Sequence, residues 1–132
     1  MNSILLDTNA YTGLIEGDTA VYELITQADI IYMSTIVLGE LYAGFNGGSK
    51  PDWNNNILRD FLDKETVTII NVTHKTAKIF GKIKNELKQK AKMIPVNDIW
   101  IAAHTIETDS TLLSFDKHYE NISNLKTWSY RT

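Results

Sequence analysis

Strand-like apolar runs alternate with helical segments along this 132-residue chain, and that alternation predicts an α/β fold: a sandwich of helices around a mostly parallel central sheet. Two further observations agree. The length suits one domain with a real core. No internal repeat, low-complexity tract or linker divides it, so residues 1–132 are expected to form a single domain.

Each element has a local reason. Ser3 to Leu6 reads as a short buried strand, and Asn9 to Ile15 as a helix ending near Gly17. Asp18 or Thr19 can cap a second helix through about Gln27, because either side chain can accept from its free N–H groups. Ile30 to Met33 is the next strand, and Ser34 or Thr35 caps a helix reaching about Phe45. Asn46-Gly47-Gly48-Ser49-Lys50-Pro51 is the clearest break, since paired glycines and a proline stop a helix and favour a loop. A helix from about Asp52 to Lys64 follows, with Ile57, Leu58, Phe61 and Leu62 as its apolar stripe. Val67 to Val72 has strand composition. Thr73 begins a long amphipathic helix to about Ala91, with Phe80, Ile83, Leu87 and Ala91 facing inward. Asn97 to about Glu107 is a further helix, with Asn97 as a natural N-cap. Thr111 to Phe115 and Leu125 to Trp128 read as the last two strands.

The bulk numbers exclude several classes. A hydrophobic fraction of 43% and a charged fraction of 22% are ordinary for a soluble domain. The apolar runs are too short to span a bilayer, and no signal peptide is visible, so no membrane partner is expected. With no cysteine, disulfides and thiolate metal sites are excluded, which fits a cytoplasmic location. The net charge of -3 argues against a nonspecific nucleic-acid coat. Yet seven of the 13 Lys and Arg residues lie between Lys75 and Lys92: Lys75, Lys78, Lys82, Lys84, Lys88, Lys90 and Lys92. They read either as a solvated helix face or as a phosphate-facing stripe.

Four carboxylates sit on the margins of apolar segments. Asp7 ends Ile4-Leu5-Leu6, Glu40 interrupts an apolar helix, Asp98 opens Ile99-Trp100-Ile101-Ala102-Ala103, and Asp116 follows Leu112-Leu113-Ser114-Phe115. A carboxylate there is costly unless a cation satisfies it. Capping accounts for Asp7 or Asp116 singly, and a favourable helix dipole for Asp98. Glu40 is harder to excuse: at about 100° per residue it falls between Ile36 and Val37, inside the apolar arc. Gly44, one turn on, would leave room beside it for a ligand or another backbone. Strand carboxyl ends are where open α/β sheets place their sites, and Asp7 and Asp116 both occupy such ends. Hard oxygen ligands in that number suit Mg²⁺ or Mn²⁺ beside a phosphate.

The chain resembles PIN-domain ribonucleases, and most closely the VapC-type toxins of toxin–antitoxin pairs. The matching segments are Leu5-Leu6-Asp7-Thr8-Asn9, Ser34 to Leu41, Pro95 to His104, and Leu112-Leu113-Ser114-Phe115-Asp116. With size and element order, the likeness covers essentially the whole chain. It implies a PIN-like three-layer sandwich and a metal-binding catalytic pocket of Asp7, Glu40, Asp98 and Asp116. Thr8, Asn9 and Asn97 match polar positions beside that pocket, and Ser114 a small hydroxylated supporting residue. Phe115 departs from the polar residue often found before the last acid. Trp100 replaces a more usual aliphatic, and is expected at a surface or partner contact. The implied function is Mg²⁺- or Mn²⁺-dependent endoribonuclease activity on transfer RNA or other structured RNA. The implied partners are a second copy of the chain and a cognate antitoxin, through which operator DNA is met indirectly. Lys82, Lys84, Lys88, Lys90 and Lys92 are the candidates for RNA contact.

Other residues are set aside. His104 lies opposite Asp98 on its helix and reads as structural, His74 as exposed, and His118 as near Asp116 but unneeded if metal-activated water is the nucleophile. Tyr11, Tyr42, Phe45 and Trp53 read as core packing, with a groove for an antitoxin helix or a dimer partner as the alternative. A housekeeping RNA-processing nuclease and a non-catalytic RNA- or protein-binding module on the same scaffold are the competing functions. A phosphotransfer reading of Asp7 lacks the second acid two positions on, where Asn9 stands.

Overall fold

The computed structural model describes residues 2–128. Its five strands are β1 (Ser3–Leu6), β2 (Ile30–Ser34), β3 (Val67–Ile70), β4 (Thr111–Leu113) and β5 (Lys126–Trp128). They form one sheet in the order β3-β2-β1-β4-β5, and every pairing is parallel. Leu5 lies opposite Tyr32 on one side and Leu112 on the other, which fixes β1 at the centre. Leu5, Leu6, Leu112 and Leu113 are essentially inaccessible. A parallel strand covered on both faces must be apolar at consecutive positions, and these are.

Six α-helices flank the sheet: α1 (Thr8–Ile15), α2 (Thr19–Gln27), α3 (Thr35–Asn46), α4 (Pro51–Leu62), α5 (His74–Gln89) and α6 (Val96–Glu107). Several starts are written by their caps. Asp18 accepts from Val21 N–H to open α2, and Ser34 accepts from Ile36 N–H to open α3. Thr73 and Thr76 form a reciprocal capping box at α5. Pro51 occupies the first turn of α4, where its missing N–H has no intrahelical partner to lose. Among the described residues no helix is long and apolar enough to cross a membrane.

Three local expectations are corrected. Asn97 does not cap α6: Pro95 holds the cap position, the helix starts at Val96, and the Asn97 side chain reaches Glu40 instead. Ala91 does not face inward, because α5 ends at Gln89 and Ala91 is exposed with φ 54. Tyr42 and Trp53 are not core residues; they are 40% and 65% exposed, whereas Tyr11 is buried edge-on to Phe61. Trp100 is half-buried and stacks on Phe80 at 3.8 Å, so it joins α6 to α5.

The order of the sheet positions the site. The chain moves outward from β1 to β2 to β3, then returns to place β4 on the other side of β1. The β1/β4 boundary is therefore a topological switch point, where the loops leaving the strand ends diverge and open a crevice.

Candidate active site

Asp7, Glu40, Asp98 and Asp116 all line one open cleft of about 540 Å³ at that switch point. Asp7 follows β1 directly and is buried, its backbone N–H bonded to the Leu113 carbonyl at the end of β4. It is also the N-cap of α1, with Oδ1 accepting from Thr8 N–H at 2.8 Å. Asp116 in turn caps the 3-10 turn Lys117–Asn121 by accepting from His118 N–H. Capping and membership of the acid cluster thus coincide in the same side chains.

A network of short polar contacts aims the carboxylates. Ser114 Oγ donates to Asp7 Oδ2 at 2.7 Å and accepts from Asp116 N–H at 3.0 Å, so one hydroxyl ties two acids together. Asn9 Oδ1 accepts from Phe115 N–H at 3.1 Å and holds the loop after β4. Thr8 Oγ1 donates to Glu40 Oε1 at 2.5 Å, and Asn97 Nδ2 donates to Glu40 Oε2 at 3.4 Å. The four polar residues expected beside the acids are therefore beside them. Phe115 lines the same cleft, its ring packed against Gly13 and edge-on to Trp128, and a Cβ on residue 13 would stand 3.1 Å from it. Glu40 is half-buried, but Gly44 is exposed with open space beside it, so no close approach requires a glycine there.

The electrostatics mark an anionic site. Burial raises the Asp7 carboxyl above its ordinary range, against the Ser114 and Thr8 hydrogen bonds, and the Asp98 and Glu40 charges raise it further. Burial likewise raises Asp98, opposed by its hydrogen bond from His118 and reinforced by Asp116 and Glu40. Two buried acids facing two more is the arrangement a divalent cation relieves. Among the described residues, Asp98, Asp116 and His118 present ligand atoms all within 4.8 Å of one another, a donor set that suits such a cation, while Asp7 and Glu40 line the same cleft outside that compact group.

Two residues at the site carried little or no weight in the sequence. His118 Nδ1 stands 3.1 Å from Asp98 Oδ2 and 3.1 Å from Asp116 Oδ1, and the Asp98 hydrogen bond chiefly raises its imidazole above the usual range. Tyr119 is buried, and burial together with the Asp7 charge pushes its phenol up. For His118 the sequence offers its place two residues after Asp116, and for Tyr119 nothing beyond its place next to it. His104, by contrast, is buried against Ser34 Oγ at 2.9 Å, as a structural residue should be, and His74 is exposed.

The lysines of α5 do not form one stripe. At about 100° per residue, Lys75, Lys78 and Lys82 share one flank of the helix and Lys84 and Lys88 the other, with Ile83 and Leu87 buried between. Lys84 lies 5.8 Å from the Phe80 ring centre, Lys90 pairs with Glu86 at 2.7 Å, and Lys92 is exposed beyond the helix.

The PIN-domain family model matches residues 4–125, the stretch that carries most of the parallel sheet and the four acids at its switch point. The chain is 33% identical over 126 residues to ribonuclease VapC2 of Rickettsia felis, covering 92% of each. It is 36% identical over 96 residues to ribonuclease VapC2 of Haemophilus influenzae, covering 72% of this chain and 71% of that one. The solved structure of VapBC2 from Rickettsia felis bound to a DNA fragment from their promoter superposes with a TM-score of 0.86 at 31% identity, over 97% of this chain and 98% of that one. The chain belongs to the VapC ribonucleases of the PIN-domain family.

Proposed function

We propose that the cleft is the active site of a divalent-metal-dependent endoribonuclease, and that the chain acts as the toxin of a toxin–antitoxin pair. The observation that carries this reading is the convergence of Asp7, Glu40, Asp98 and Asp116 on one cleft with two of them buried and raised. The ribonuclease names of its relatives support the substrate class.

In this reading Asp7, Glu40, Asp98 and Asp116 hold Mg²⁺ or Mn²⁺. When bound, such a cation activates water and offsets charge on the attacked phosphodiester. The chain's own residues supply position. Ser114 fixes Asp7 and Asp116 relative to each other, while Thr8 and Asn97 hold both oxygens of Glu40. Asn9 fixes the loop that carries Asp116. The cleft is open, which suits a polymer entering from solvent, and structured RNA such as transfer RNA is the substrate class assigned. Of the five candidate lysines, Lys84 and Lys88, which share one flank of α5, are assigned to its backbone as electrostatic contacts that position without reading sequence.

The partners in this reading are a second copy of the chain and a cognate antitoxin, with operator DNA met only through the latter. An apolar cavity of about 300 Å³ lined by Tyr11, Ile15, Phe45 and Ile57 adjoins the acidic cleft and shares Thr12 and Glu16 with it. A bound antitoxin segment spanning both cavities would block RNA entry.

The test is sequencing of RNA 5′ ends after brief expression of the wild type and of Asp98→Asn. New 5′ ends at defined RNA positions are expected with the wild type alone. Identical ends from both proteins, or none from either, would overturn the reading.

A further inference from the structure

We propose that His118 is a ligand of the metal centre, so that this cleft offers an imidazole nitrogen in addition to its carboxylates and prefers Mn²⁺ to Mg²⁺. The inference rests on the reading of the cleft as a metal site and adds to it a donor outside the four acids.

Geometry carries it. His118 Nδ1 lies 3.1 Å from Asp98 Oδ2 and 3.1 Å from Asp116 Oδ1. An Nδ1–H has one proton and directs it along one line. It is hydrogen-bonded to Asp98, so Asp116 Oδ1 is held at the same short distance without an Nδ1–H of its own. The three donor atoms all lie within 4.8 Å of one another. Donors about 2.1 Å from one octahedral cation and at right angles to each other stand about 3 Å apart. The two 3.1 Å separations therefore match two edges of one coordination polyhedron.

The backbone builds the arrangement. Asp116 Oδ1 accepts from His118 N–H at 2.9 Å, which closes the start of the 3-10 turn and brings the imidazole back over the carboxylate. Asp98 comes from the first turn of α6, an element distant in sequence. A cation at Nδ1 would displace its proton to solvent and leave the neutral ring protonated at Nε2, which has room because the His118 side chain is 48% exposed. Tyr119, the next residue, is packed into the core and anchors the turn from beneath.

The chemical consequence is selectivity. Carboxylates and water suit Mg²⁺ and Mn²⁺ alike, whereas an imidazole favours the transition metal. Replacing His118 should cost Mn²⁺ more than Mg²⁺.

The experiment titrates Mn²⁺ and Mg²⁺ into purified wild type, His118→Ala, His118→Gln and Asp98→Asn by calorimetry. It also records electron spin-echo envelope modulation of bound Mn²⁺, with and without ¹⁵N-histidine. Expected are a nitrogen coupling in the wild type that changes with ¹⁵N, and its loss in both His118 variants. Mn²⁺ affinity should fall about tenfold or more in those variants, and Mg²⁺ affinity by less. An unchanged Mn²⁺ affinity in His118→Ala with no nitrogen coupling in the wild type overturns the ligand role, while loss of binding in Asp98→Asn leaves the metal centre standing. Absence of Mn²⁺ binding by the wild type overturns both.

Discussion

Replacing Asp7 with Asn should make the metal-free protein more stable while destroying its activity. Asp7 is 5% exposed, and its neighbours Asp98 and Glu40 are acids. Asn keeps the shape and most of the network. Its Oδ1 can accept from Thr8 N–H as Asp7 does. Its Nδ2 can donate to Ser114 Oγ, which retains a lone pair for Asp116 N–H and can turn its own proton to Asn9 Oδ1, 3.4 Å away. What is lost is the strength of one charged hydrogen bond, about 1 kcal/mol. What is gained is relief of a desolvated, unpaired anion, whose burial costs several kcal/mol in proteins. The balance favours Asn by at least about 1 kcal/mol, which is roughly 3–5 °C in melting temperature for a domain of this size. The assay is thermal unfolding in chelator at pH 7, wild type against Asp7→Asn. Proton linkage gives a second signature. A carboxyl raised on folding contributes stability below its unfolded pKa and loses it as pH rises through the folded value. The metal-free wild type should therefore lose stability above about pH 4 with a slope that Asp7→Asn reduces. Divalent cation at a hundred times its Kd should reverse the order by adding about 2.7 kcal/mol to the wild type. A lower melting temperature for Asp7→Asn in chelator would refute the claim that Asp7 is a strained anion.

Ser114→Ala removes the hydroxyl shared by Asp7 and Asp116. Denaturant unfolding should show a loss of about 1–3 kcal/mol, and calorimetry a cation affinity lower by about 10–100-fold, as for other groups that orient metal ligands. His104 is buried, and burial lowers its imidazole below the ordinary value. The unfolded chain then takes up a proton below about pH 6.5 that the folded one refuses, so this group costs stability as pH falls from there toward the folded pKa. Unfolding of His104→Gln followed between pH 7 and pH 5 should show a flatter dependence than the wild type. Lys84→Ala with Lys88→Ala should leave cation affinity unchanged and reduce the salt slope of RNA binding by about one per lysine, measured by fluorescence anisotropy on a cleavage-inactive Asp98→Asn background.

Much of this architecture was legible because local and global preferences agree. Ile4-Leu5-Leu6 and Leu112-Leu113 are apolar throughout because both faces of the sheet are covered, and the Gly-Gly-Pro break falls between α3 and α4. The four acids were legible because each interrupts or bounds an apolar segment, and although capping explains Asp7 and Asp116 singly, it leaves Glu40 unexplained. Other features depend on distances that sequence spacing does not encode. Asn97 has the chemistry of a cap, yet Glu40, 57 residues away, takes its amide. His118 reads in sequence as a neighbour of Asp116 alone, and the 3-10 turn carries its ring to Asp98 on α6 as well. Tyr42 and Trp53 have core composition but stand at the surface, because aromatic content alone does not say which face an element buries.

If the clustered acids hold a cation, that cation is required to cut RNA. This requirement is tested most directly by following cleavage of an end-labelled structured RNA by the purified protein, first in EDTA and then after Mn²⁺ is restored. The expected result is no cleavage in EDTA and recovery with Mn²⁺ in the wild type, with Asp98→Asn slower by about a hundredfold or more under the same conditions. Equal cleavage with and without the metal, or full activity in Asp98→Asn, would contradict it.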